Sequence, residues 1–118
     1  MLNASLFAAE TGTRIKTLYV NLSAAGNYIP GGDILDLTRI ANPLFLPGNN
    51  VARNPVAVSE LNEEMSGFYV GVIPGSAPNA WKMKFYNPGG VELPAGPYPM
   101  QVTGGVLQLA VILQSGVN

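Results

Sequence analysis

The chain has 118 residues, 11% of them charged, and a net charge of −1, enough length for one modest core but no basic stripe able to neutralise a row of phosphates. It contains no cysteine and no histidine, which removes thiolate nucleophiles, disulfides, the commonest zinc ligands and the imidazole general base. No apolar run approaches a membrane span of roughly 18 residues and no basic segment leads into a signal-like one, so neither is expected.

In chain order, the first segment, "MLNASLFAAETG" (1–12), reads as an N-terminal arm or edge strand of a domain that takes in 1–118. Strands follow near 13–22 ("TRIKTLYVNL"), 34–38 ("ILDLT") and 56–61 ("VAVSEL"), then 67–73 ("GFYVGVI"), 80–86 ("AWKMKFY"), 91–93 ("VEL") and 106–113 ("VLQLAVIL"). Between them 14 glycines and 10 prolines are scattered, which forbids long helices and punctuates the chain every 8–12 residues. The fold class expected is all-β, a single-domain antiparallel sandwich or jelly-roll-like barrel with long loops. Residues 56–66 leave a short helix open as well, because Pro55 suits a first helical position and Glu60, Glu63 and Glu64 suit early turns.

Alternation assigns faces. In an extended 80–86, Trp81, Met83 and Phe85 point to one side, the core, and Lys82, Lys84 and Tyr86 to the other. "NPGG" at 87–90 supplies the turn that lets "VEL" fold back. In the last strand Leu107, Leu109, Val111 and Leu113 share a face, and the opposite face (Val106, Gln108, Ala110, Ile112) is apolar enough for a central or doubly covered strand.

Candidate chemistry is sparse. Asp33 and Asp36 fall on opposite faces of a strand, Glu60, Glu63 and Glu64 lack an acid–base partner, and the glycine pairs at 31–32, 89–90 and 104–105 lack phosphate-loop spacing. No serine has an imidazole to activate it. No enzyme activity and no cofactor or metal site are therefore expected. Two loops are long for so small a domain: 23–33, which carries Tyr28, and 42–55, which carries Leu44, Phe45 and Leu46 between prolines. Leu44, Phe45, Leu46 and Tyr28 are the candidate protein-contact residues. So low a charge content points to surface covered by a partner.

The segments "YIPGGDILDLTRIANP", "GFYVGVIPG", "AWKMKFYNPGG" and "LPAGPYPMQVTGGVLQLAVIL" together resemble the small head-decoration (cement) proteins of tailed bacteriophages, from about Thr13 to Leu113. The resemblance implies a β-sandwich or jelly-roll-like fold on the exterior of the virion capsid, where it clamps neighbouring major capsid proteins and stabilises the head. It brings no catalytic residue. The apolar 44–46 segment departs from the family pattern. Repetition around a shell also suits a homo-oligomer, dimer or trimer. The alternatives are a carbohydrate- or peptide-binding β-sandwich module, in which Tyr28, Trp81, Tyr86 and Tyr98 would offer flat aromatic faces, or a phage tail or fibre component.

Overall fold

The computed structural model describes residues 1–11, 15–38 and 54–114. Strands take up 57% and helix 4% of the described residues, so the fold is all-β. A four-stranded antiparallel sheet is built from β1 (Leu2–Thr11), β2 (Ile15–Ala24), β9 (Val106–Gln114) and β5 (Ala57–Glu64), in that spatial order. A three-stranded sheet runs β4 (Asp33–Leu35), β7 (Trp81–Tyr86), β6 (Tyr69–Ile73), and a short ribbon pairs β3 (Asn27–Tyr28) with β8 (Gly96–Pro97). The order establishes an antiparallel sandwich; it does not establish the jelly-roll connectivity also expected.

The period-2 residues meet as the alternation requires. Leu18, Val20 and Leu22 of β2 and Leu107, Leu109, Val111 and Leu113 of β9 are buried on the inner face of the larger sheet. Opposite them lie Trp81, Met83 and Phe85 of β7, with Leu35 of β4 and the partly buried Val70 and Val72 of β6, in one cluster. Each fully buried aliphatic or aromatic side chain contributes roughly 1.5–3 kcal/mol, so these two strands alone hold much of the core. β9 is central, between β2 and β5, in keeping with its apolar second face.

Several local expectations are refined. Within 56–66 the chain is strand rather than helix from Ala57 to Glu64: β5 pairs along β9 from Ala57↔Ile112 to Glu64↔Val106, with a bulge between Glu60 and Asn62. Long-range pairing outweighs the proline and carboxylate signals, which fit a helix start but supply no apolar helical stripe. The N-terminal segment is an edge strand over Leu2–Thr11, paired with β2 and bulged between Leu6 and Ala8. "VEL" folds back after a turn in which Gly90 N–H bonds Asn87 O at 2.9 Å, but it reaches only a single bridge, Tyr86↔Glu92, and is not a strand. A one-turn helix, α1 (Met100–Thr103), was not expected.

The crossing from β5 of the larger sheet to β6 of the smaller one is a tight turn at Met65–Phe68. Ser66 (φ 54°) and Gly67 (φ 87°) both take left-handed backbone, and Phe68 N–H bonds Met65 O at 3.1 Å. Between β6 and β7 the chain doubles back so closely that a Cβ on Gly75 would lie 2.4 Å from the carbonyl of Ala80.

Candidate protein-contact surface

The sequence-derived contact residues do not form one site. Leu44, Phe45 and Leu46 lie outside the described residues. Tyr28 is a correction: it is 2% exposed and cannot serve as a surface contact. Pairing of β3 with β8 turns its ring inward, where Tyr28, Phe85 and Tyr98 pack edge to face with centroids 5.2–5.9 Å apart.

The polar ends of these rings are held by hydrogen bonds. The Tyr28 hydroxyl donates to Glu92 Oε2 at 2.5 Å and accepts from the Phe85 N–H at 3.3 Å, while Gly31 N–H donates to the same carboxylate oxygen at 2.7 Å. These two donors hold the Glu92 carboxyl below its ordinary range, the tyrosine first and the glycine amide second. Burial, reinforced by the Glu92 bond, pushes the Tyr28 hydroxyl far above its own. Tyr98 is shifted the same way by burial and by donating to Asp33 Oδ2 at 2.6 Å. Asp33 is 4% exposed, and the amino group of Met1 lies 3.0 Å from it. Asp33 is buried, whereas Asp36, one residue beyond the end of β4, is exposed. Trp81 is buried with its indole N–H on Asn54 Oδ1 at 2.6 Å, and Asn54 in turn donates to Gly75 O. Three of the four rings that a carbohydrate-binding face would use are therefore framework, and only Tyr86 is half-exposed.

What the fold brings to the surface is the outer face of the four-stranded sheet. Register places Thr17 beside Ile112, Tyr19 beside Ala110 and Asn21 beside Gln108 across β2 and β9. Ile15 (56% exposed) and Val106 (43%) sit near opposite ends of this face, and Phe7 (48%) packs against the Tyr19 ring at 6.2 Å. Amides complete it, with Gln108 donating to Asn21 Oδ1 at 3.1 Å. Among the described residues, charge reaches this face only at two corners: Glu10, which accepts from the Tyr19 hydroxyl, and Glu64 opposite Val106. Between those corners the surface is uncharged and partly apolar, able to dock by close packing and amide hydrogen bonds. The composition signalled such a surface, but finding it required the register.

The acidic residues gather instead on β5. Glu60 and Glu63 share the inward side of this edge strand, and partial burial together with the Glu60 charge raises Glu63 above its ordinary range. Inward charge on an edge strand discourages further pairing. Among the described residues no three histidine, cysteine, aspartate or glutamate side chains converge as a metal site would need. No protein-family model, curated protein or solved structure matches the chain.

Proposed function

We propose that this chain is a structural binding protein, a decoration protein of the phage-head type, that docks on the outer surface of a protein shell through the outer face of the β1–β2–β9–β5 sheet. The observation that carries this reading is the uncharged middle of that face, with carboxylates only at two corners among the described residues, in a chain whose charged residues are only 11% of the whole. Exposed Ile15, Phe7 and Val106 frame it, and each would gain by burial against a partner. Its amides Asn21 and Gln108 can re-pair across an interface without the desolvation cost of buried charge. The sequence resemblance to cement proteins supplies the partner, the major capsid protein, and the location, the capsid exterior. A role in binding rather than catalysis agrees with aspartate, tyrosine and tryptophan side chains that hydrogen-bond within the framework. Burial of Tyr28, Trp81 and Tyr98 weighs against the carbohydrate-module alternative.

The test is co-sedimentation with intact heads that lack their decoration protein. Wild type should sediment with the heads, and Ile15→Asp and Val106→Asp, both at exposed positions, should keep the fold and lose binding at least about tenfold. If both variants bind as wild type does, this face is not the docking surface. If wild type does not bind heads at all, the decoration reading fails.

A further inference from the structure

The larger sheet has two outer edges of opposite character. The β5 edge carries Glu60, Glu63 and Glu64, whereas β1 carries no charge from Leu2 to Ala9 and has no strand partner on its outer side among the described residues. The hydrogen-bond phase of β1 follows from its first residue. Met1 and Ala25 exchange both backbone bonds, Ala25 N–H to Met1 O at 2.9 Å and the Met1 amino group to Ala25 O at 2.6 Å. Antiparallel ladders alternate, so Asn3 and Ser5 also bond to β2, and the N–H and C=O groups of Leu2, Ala4 and Leu6 point away from the sheet. At the far side of the sheet the Val56 N–H bond to Ile112 O, 2.8 Å, gives the same phase when carried back through β9 and β2.

Beside this edge runs an open groove of about 600 Å³ of mixed character, lined by the apolar Leu2, Ala4, Ile29 and Ile34 and by polar residues that include Asn27 and Asp36. Ile29 and Ile34 are 55% and 51% exposed. The neighbouring strand β4 forms no ladder with β1, and its Ile34 N–H is bonded to Asp33 Oδ1 at 3.0 Å instead.

We propose that β1 pairs antiparallel with β1 of a second copy about a two-fold axis at Ala4, joining the two four-stranded sheets into one. In this register Ala4 faces Ala4, Leu2 faces Leu6 and Leu6 faces Leu2, so every outward backbone group of the segment meets an outward group of the copy. Asn3 and Ser5 then lie opposite each other in the closely spaced pairs. Of the two outer edges β1 is the one suited to two-fold self-pairing, because pairing β1 with its own copy about Ala4 sets no like charges opposite over Leu2–Leu6, whereas pairing β5 with its own copy would set glutamates against glutamates. The paired length is about 20 Å. With Ile29 and Ile34 of both copies, the contact covers on the order of 800 Å² in total, below the roughly 1,200 Å² of standard interfaces. The dimer is therefore reversible, and crowding on a surface would favour it. This inference does not rest on the decoration reading, and its test contains no heads.

Sedimentation equilibrium of wild type should show a mass rising from 12.4 kDa toward twice that value as the concentration is raised from about 10 to about 500 µM. Ala4→Pro removes an N–H that β2 does not use, so it should stay monomeric with an unchanged circular dichroism spectrum. The double variant Asn3→Cys/Ser5→Cys, in a chain with no other cysteine, should oxidise to a covalent dimer that dithiothreitol dissolves. A wild type that remains 12.4 kDa throughout, or a double variant that does not cross-link, overturns the proposal. An Ala4→Pro variant that dimerises as wild type does overturns it equally.

Discussion

Replacing Tyr28 by phenylalanine removes one oxygen and leaves the ring in place between Phe85 and Tyr98. The oxygen has two partners, and their losses are read separately. The Phe85 N–H, buried and pointing away from β6, loses its acceptor, and a buried donor left unsatisfied costs about 1–3 kcal/mol. For a domain of this size about 2 kcal/mol lowers Tm by roughly 8 °C and moves the urea midpoint by about 1 M. The second loss is that of the donor to Glu92. Because the folded state holds the Glu92 carboxyl below its unfolded value, the stability this provides is complete above the unfolded value and disappears as pH falls through the folded one. Tyr28→Phe should therefore flatten the acid limb of the stability curve below about pH 4.5, retaining only the Gly31 contribution. Urea melts of wild type and variant at pH 7, 5, 4 and 3 give both numbers. A variant within about 0.5 kcal/mol of wild type at pH 7, with an unchanged acid limb, would refute the assignment of Tyr28 to a buried framework.

Phe85→Ala should cost about 3–5 kcal/mol in chemical denaturation, because the ring is fully buried against two others, while Lys84→Ala on the opposite face should cost less than about 0.5 kcal/mol; equal stabilities would mean that the register of β7 is wrong. Gly75→Ala should destabilise by at least about 1–3 kcal/mol, since its Cβ would press on the Ala80 main chain rather than on a movable side-chain tip, and a neutral result in thermal melts would contradict the close approach. Ser66→Gly should stabilise by about 0.5–1 kcal/mol by relieving a left-handed non-glycine residue, and a loss of stability there would contradict the turn geometry.

Alternation is a local property, which is why Trp81, Met83 and Phe85 and the leucine face of β9 could be placed from the sequence alone. Tyr28 could not. Its neighbours in "GNYIPGG" signal a loop, and its burial comes from the pairing of Asn27 and Tyr28 with Gly96 and Pro97, far along the chain. The same holds for the trio it joins, whose members stand on three separate segments. β5 was ambiguous because its glutamates fit a solvated helix turn as well as a sheet edge, and only β9 decides between them. In β1 the bulge at Phe7 breaks the alternation that would have announced a strand. The neutral outer face of the larger sheet was foreshadowed by composition, but its extent depends on which residues of four strands lie side by side, and that is a matter of register.

The central claim is that the chain holds a protein shell by neutral and apolar contact across this face, and the most direct measurement is a salt wash of heads decorated with the wild-type protein. Exposed ion pairs are worth only about 0–1 kcal/mol each, and at about 1 M sodium chloride the screening length falls to roughly 3 Å. The account predicts that the protein stays on the heads, bound as tightly as at low salt or slightly more so. Release at about 1 M sodium chloride, with the heads intact, would show the contact to be charge-driven and would contradict it.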